Sequence, residues 1–292
     1  MNSTSMCRTV LSIAAVTALA GTAACSSSDS GGGDEGIRSG GDLLAALRLA
    51  DKSTSDADSA KIESTATMGE LMSMRSDGAL DWADGLQGTM TITYTGGQAA
   101  EQMSQLGITS TEARYLPDAY YANMGDTFAE QYEGKHWIRY AYDDLENSAG
   151  ASGAYIKDIF KNVTPNQSVK LLLASGDVEK VGESKVRGEN TTHYSGTVDV
   201  ADLAEQNSNL GEEKRAELQK QLEQAGITTE TIDLWINEDD LLVKKVEKGE
   251  TANGTLSSTV YYSDYGVEVS PKEPPATDTV DFAELMKDLP AG

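Results

Sequence analysis

The side chains with chemistry to offer in this 292-residue chain are two histidines, two cysteines and 47 carboxylates. Nucleophilic hydrolysis needs a Ser or Cys on a strained turn beside a His that a carboxylate orients, and no Gly-x-Ser-x-Gly elbow occurs. His193 alternates with apolar residues beside Ser195, Thr197 and Asp199, which reads as an exposed strand residue. His136 sits in the aromatic strand Lys135-His-Trp-Ile-Arg-Tyr-Ala-Tyr142 and reads as wall or core. Neither a phosphate-cradling Gly loop, a dinucleotide fingerprint nor a His-Glu-x-x-His zinc pair is present. Glu238-Asp239-Asp240 and Asp143-Asp144 lack the alternating oxygens and central Gly of a calcium loop and read as turns. The chain is therefore expected to be no enzyme and to carry no metal and no cofactor. Catalysis would require an acidic pair facing a cleft with raised pKa values, and the sequence marks no such pair.

Cys25 is different because of its surroundings. Arg8 precedes an apolar run from Thr9 to Ala24, and no acid occurs before Asp29. That run is too short for the roughly 20 residues that span a bilayer; it predicts a signal peptide over residues 1–24, which takes Cys7 with it. Small residues lead directly into Cys25, and Ser-Ser-Ser-Asp-Ser-Gly-Gly-Gly follows as a flexible tether over 25–38. Thr22-Ala23-Ala24-Cys25 resembles the lipobox of bacterial lipoproteins, with Thr22 where Leu, Val or Ile is usual. A single mature cysteine has no disulfide partner, and the nearest His is too distant in sequence for metal spacing. Cys25 is thus expected to be lipidated, holding the protein outside the cytoplasm on the outer face of the plasma membrane.

Composition narrows the partners. A formal charge of -24 repels nucleic acid and anionic headgroups, so neither is expected as an electrostatic partner. With 39% apolar residues the chain can bury a core of ordinary size, and a monomer is expected.

The elements that must position any site follow from periodicity. Leu43, Leu44, Leu47 and Ala50 fall on one helical face. Period-two alternation through Ala60–Met68, Thr89–Tyr94, His193–Val200 and Ile232–Ile236 predicts antiparallel strands with one dry face. Thr164-Pro-Asn-Gln167 has the form of a capping box for a helix stopping at Gly176, and Glu212–Ala225 predicts another that stops at Gly226. Gln102–Thr109 and Gln221–Thr228 match at five of eight positions, and each precedes a strand, a turn and a strand. The pattern predicts one α+β domain over 39–270, a curved antiparallel sheet whose echo reads as two related halves, then a Pro-rich tail over 271–292. A few short helices would leave part of the sheet lined with apolar side chains and open to an acyl chain.

These features together resemble a family. Cys25 and its tether, Asp42-Leu-Leu-Ala-Ala-Leu47, Ser59-Ala-Lys-Ile-Glu-Ser64, Tyr120-Tyr-Ala-Asn-Met124 leading to Gly134-Lys-His-Trp-Ile138, Val186-Arg-Gly-Glu-Asn-Thr-Thr-His-Tyr194, Ile232-Asp-Leu-Trp-Ile236 and Leu241–Val246 look like actinobacterial LppX/LprG-type lipoproteins, relatives of LolA-like carriers. The resemblance implies a half-barrel with helices on its concave face, and a pocket that carries acyl lipid or lipidated glycan across the envelope. It transfers no pocket residue, so the ligand-binding residues stay unknown. Departures near Met72–Asp84 and Asn207–Gln221 read as helical and turn insertions. The competing expectation is an envelope interaction or sensor lipoprotein with a filled sheet–helix core.

Overall fold

The computed structural model describes residues 40–145, 164–199, 229–251 and 254–288, with the single positions 216, 220 and 226. The leader, Cys25 and the tether lie outside the described residues.

Helix α1 (Gly40–Asp56) carries the expected apolar stripe, with Leu47 and Ala50 fully buried, and runs a turn and a half beyond it. Strands β1 (Ser59–Met68), β2 (Met72–Asp81), β3 (Gln87–Gly96), β4 (Ser110–Tyr115), β5 (Ala119–Asn123) and β6 (Trp137–Ala141) follow, with α2 (Gly97–Gln105) between β3 and β4 and α3 (Gly125–Ala129) between β5 and β6. After α4 (Gln167–Ser175) come β7 (Val178–Val186), β8 (Glu189–Asp199), β9 (Thr229–Asn237), β10 (Leu242–Thr251) and β11 (Gly254–Ser263). The chain closes with β12 (Thr279–Asp281) and α5 (Phe282–Asp288).

The twelve strands among the described residues form one sheet, in the order β12-β6-β5-β4-β3-β2-β1-β11-β10-β9-β8-β7. It consists of two meanders, β1–β6 and β7–β11, zipped together where β1 pairs antiparallel with β11. Among the described residues no strand lies beyond β12 or β7, so the described sheet is open at both ends. The expected α+β class with an antiparallel sheet is what the chain forms. Arg187, at the tip of the β7–β8 hairpin, clasps Glu63 of β1. In a flat sheet those strands would lie about 19 Å apart, so the sheet is strongly coiled.

The sequence echo has a topological counterpart. In the first meander α2 links β3 to β4, and Gly107 ends that link at φ 74°. In the second, Ala216 and Lys220 are helical and Gly226 takes φ 79° before β9. Both glycines adopt the left-handed backbone that stops a helix without a Cβ penalty. The rest of the helix expected over 212–225, and of the insertion near Asn207–Gln221, lies outside the described residues.

Three readings change. The stretch near Met72–Asp84 is strand β2, not a helical insertion. Its inner face carries Ser76 and Gly78, and a Cβ on Gly78 would lie 2.1 Å from the carbonyl oxygen of Thr89. Only glycine lets β3 approach there. The capping box does not form either: the Thr164 hydroxyl donates to Asn166 Oδ1 at 2.7 Å, and Asn166 donates to Asp51 of α1 at 2.8 Å. That pair ties the start of α4 to α1, and Gly176 ends the helix at φ 69° as expected. Finally, the Pro-rich tail returns to the sheet. The Tyr121 hydroxyl donates to Glu273 at 2.8 Å, β12 runs parallel to β6, and Phe282 stacks on Tyr140 at 4.8 Å.

Candidate ligand cavity

One main core cluster joins α1 and α4 to a single face of the sheet through Leu47, Val169, Leu172, Tyr194, Ile232, Leu234 and Tyr262. The packing is not continuous. Between the first turn of α4 and strands β9, β10, β11, β1, β2 and β3 lies a cavity of about 400 Å³, within the size range of small-molecule sites. Its apolar wall is Ile62, Leu80, Met90, Ile92, Leu171 and Val260, with the rings of Tyr115 and Tyr262. Among the described residues, α1 and α4 leave this space unfilled.

Across this wall runs a polar stripe. Ser76 of β2 stands directly opposite Ser64 of β1, and Ser258 of β11 directly opposite Glu247 of β10. The steps from Ser64 to Ser258 and from Glu247 to Glu230 are diagonal, as Ala66 pairs with Ser258 and Ile232 with Glu247. At the α4 end, Lys245 donates to Glu247 at 2.8 Å and to Ser168 Oγ at 3.0 Å, while the Ser168 hydroxyl donates to Glu247. The Lys245 and Glu247 side chains are only 13% and 18% exposed.

A pair so placed lacks most of its hydration, and each charge depends on the other. Burial on its own would raise the pKa of Glu247. The Lys245 ammonium and the hydrogen bonds from Lys245 and Ser168 outweigh it and hold the carboxyl below its usual range. Glu230 has no such support. Burial, and then repulsion from Glu247, pushes it up to about 7, with Lys245 offsetting only part. Burial likewise pushes Tyr115 up to about 12, so that phenol stays neutral.

Catalysis by an acidic pair calls for raised pKa values in a cleft, and of the two acids here Glu230 is raised while Glu247 is lowered. Here Lys245 neutralises Glu247, which leaves one unpaired carboxyl in an apolar wall rather than an acid and a base. The arrangement is suited to holding a molecule that is largely apolar and polar at one place.

The residues singled out in the sequence fall elsewhere. His193 is on the opposite face, but it is not an exposed strand residue: it is 20% exposed, lies 2.7 Å from Asp233 and stacks on Trp235 at 4.2 Å. His136 contacts Asp278 of the C-terminal segment at 2.6 Å and Asp126 at 3.3 Å, beside the buried Trp137. Glu238-Asp239-Asp240 is the turn between β9 and β10, where Asn237 Oδ1 accepts from the Asp239 and Leu241 amides. No group of three or more metal-ligating side chains occurs among the described residues, and no described helix is long and apolar enough to cross a membrane.

Sequence reasoning passed over Glu230, Lys245 and Glu247. The signal was available in Leu-Leu-Val-Lys-Lys-Val-Glu-Lys, a strand whose charges occupy both faces. Strict alternation from the inward Leu242 would point Lys245 and Glu247 away from the core. A register shift between Leu242 and Lys244 reverses that phase, so Lys244 pairs with Trp235 on one face and Lys245 with Leu234 on the other.

Comparison with known proteins gives two extensive matches. A 31.2 kDa protein encoded in the rplA-rplJ intergenic region of Streptomyces griseus is 55% identical over 245 residues, covering 84% of this chain and 80% of that protein. A candidate lipoprotein of Streptomyces coelicolor is 45% identical over 307 residues, covering 98% of each. Among solved structures, the Mycobacterium tuberculosis lipoprotein LppX aligns at a TM-score of 0.48 with 15% identity, over 79% of this chain and 98% of LppX. No family model matches the chain.

Proposed function

The chain belongs to the family of these two Streptomyces proteins, and on that premise we propose that it is a lipid-anchored envelope protein that binds or carries acyl lipid in its sheet–helix cavity. Cys25 would take the acyl anchor after removal of residues 1–24, and residues 25–38 would let the domain stand off the outer face of the plasma membrane. Burial of anchor chains is worth roughly 0.8 kcal/mol per CH₂, so a diacyl or triacyl cysteine suffices for stable attachment. The domain itself acts by non-covalent binding, as a monomer.

The observation that carries this reading is the cavity of about 400 Å³ between α4 and the sheet, walled by Ile62, Leu80, Met90, Ile92, Leu171 and Val260. The apolar side chains of that wall gain from covering methylenes. Native mass spectrometry of the Cys25→Ser protein, purified from its own host, tests it. A population carrying the mass of one lipid is expected. Ligand-free protein alone, with no uptake of added acyl probes, would overturn it. Radiolabelled palmitate incorporation into wild type and not into Cys25→Ser tests the anchor separately.

A further inference from the structure

The polar stripe inside the cavity says more about the ligand than the apolar wall does. Its members are not equivalent. Lys245, Glu247 and Ser168 satisfy one another. Ser76 is only 8% exposed and lines the cavity, yet its hydroxyl has no hydrogen-bond partner among the described residues. Glu230 also lines the cavity and makes no hydrogen bond or ion pair among them. Once Lys245 is spent on Glu247, the cluster holds one carboxyl more than it holds cations.

From this geometry we infer that the cavity selects an amphiphile bearing a protonated primary amine, whose ammonium docks at Glu230 while its chain lies along the Ile62–Met90–Val260 wall. A hydroxyl headgroup would bond to Glu230 without balancing its charge. A carboxylate or phosphate would add a second anion beside Glu230 and Glu247. Discrimination thus follows the order amine, alcohol, acid, and the acid is rejected by like charge rather than by shape. The same order explains why Glu230 is tolerated in an apolar wall: Lys245 offsets part of the cost of its charge, and the ligand supplies the cation that balances the rest.

The described titratable groups of the cavity besides Glu230 are Glu247 and Lys245 of β10, Tyr262 of β11 and Tyr115 of β4, both phenols kept neutral by burial; the cavity-lining side chains of α4, Gln167, Ser168 and Leu171, do not titrate. Glu247 raises the pKa of Glu230 and Lys245 lowers it, whereas burial keeps Tyr262 neutral. An arriving ammonium stabilises the Glu230 carboxylate, so amine binding near pH 7 releases a proton, and amine affinity falls by about tenfold per unit as pH drops below 7.

The inference rests on the acyl-cavity reading, and the test separates the two. Isothermal titration of the Cys25→Ser protein with decylamine, 1-decanol, decanoate and the chainless butylamine is compared at pH 5 and 7.5, each in two buffers of different ionisation heat. At pH 7.5, decylamine is expected to bind about tenfold tighter than decanol, decanoate weakest and butylamine not measurably, with proton release for the amine alone. The amine-to-alcohol ratio should fall toward one at pH 5 and in Glu230→Gln. Equal affinities at pH 7.5, tightest binding of decanoate, a ratio unchanged by Glu230→Gln, or butylamine binding as tightly as decylamine would each overturn the inference. If none of the four binds, the acyl-cavity reading falls with it. The proton release is read on a chain with Glu230 intact, so a Glu230→Gln variant that folds poorly does not remove the test.

Discussion

Lys244 and Lys245 are neighbours on β10 and meet opposite fates. On its face, Lys244 lies 3.9 Å from the centre of the Trp235 ring, which stacks on His193, which in turn contacts Asp233. Tyr261 and Arg187 extend the row at 4.0 Å, and Arg187 makes a two-pronged contact with Glu63. Within this row Lys244 and Arg187 each lie over a ring, His193 contacts Asp233 and Arg187 holds Glu63, so the row is chemically closed. On the other face, Lys245 and Glu247 are satisfied, but Glu230 and Ser76 are left over beside a void. The difference teaches where to look for function. Conspicuous aromatic and charged side chains that use up one another are structure, whereas the site is where polar groups remain unanswered.

The sharpest way to break this contrast is to remove Lys245. Lys245→Met leaves Glu247 and Glu230 as uncompensated buried acids, and urea denaturation at pH 7 should show a loss of about 3 kcal/mol. Adding Glu247→Leu should recover most of it, because the charge and its partner then leave together.

A smaller effect separates the two carboxyls by pH. Glu230 has its folded pKa raised to about 7 from 4.5, so the folded state binds the extra proton and stability falls as pH rises between these values. Glu247 is held below 4.5, so its contribution is present above 4.5 and is lost as pH falls through its lowered value. Between pH 5 and 8, Cys25→Ser protein should therefore lose on the order of 2 kcal/mol relative to the Cys25→Ser/Glu230→Gln variant. Parallel stability curves for the two would show that Glu230 is solvated and would dissolve the contrast.

On the closed face the expected changes are slight. Lys244→Met removes a cation–π contact and should cost about 0.5 kcal/mol, with 1-decanol binding unaltered in titration calorimetry. Smaller still is the latch on the C-terminal segment. Hydrogen bonding to Asp278 raises the pKa of His136 above 6.5, and His136 lowers that of Asp278 below 3.8. His136 contributes below pH 6.5 and loses its share as pH rises through the raised value. Asp278 contributes above pH 3.8 and loses its share as pH falls through the lowered one. Amide exchange of Thr279–Asp281, corrected for intrinsic pH dependence, should be slowest between pH 3.8 and 6.5.

Much of this fold was legible because one face of most strands is dry. Ile62, Met90, Tyr194 and Ile232–Ile236 alternate cleanly, and the structure places them where that period points. β2 was illegible for the opposite reason: Ser76 and Gly78 face inward because a cavity and a close backbone approach need small side chains there, and small polar residues read as turns. The candidate site was hidden by the same kind of exception. The register shift at Leu242–Lys244 turns two charges inward, and period-two reasoning cannot anticipate an extra residue in a strand. His193 was misjudged because its partner Trp235 is 42 positions away in sequence and becomes its neighbour only through the β8–β9 register.

The central claim, that the space beneath α4 holds an acyl chain, is tested most directly by filling it. Ser258 lines the cavity, and Ser258→Phe projects a ring into the position of the chain. Titration of 1-decanol into the Cys25→Ser protein should give one site, and the Cys25→Ser/Ser258→Phe protein should bind at least about tenfold more weakly, since a buried ring displaces methylenes worth roughly 0.8 kcal/mol each. Equal affinity in the two proteins, with both folded to the same degree by circular dichroism, would place the chain elsewhere and contradict the account.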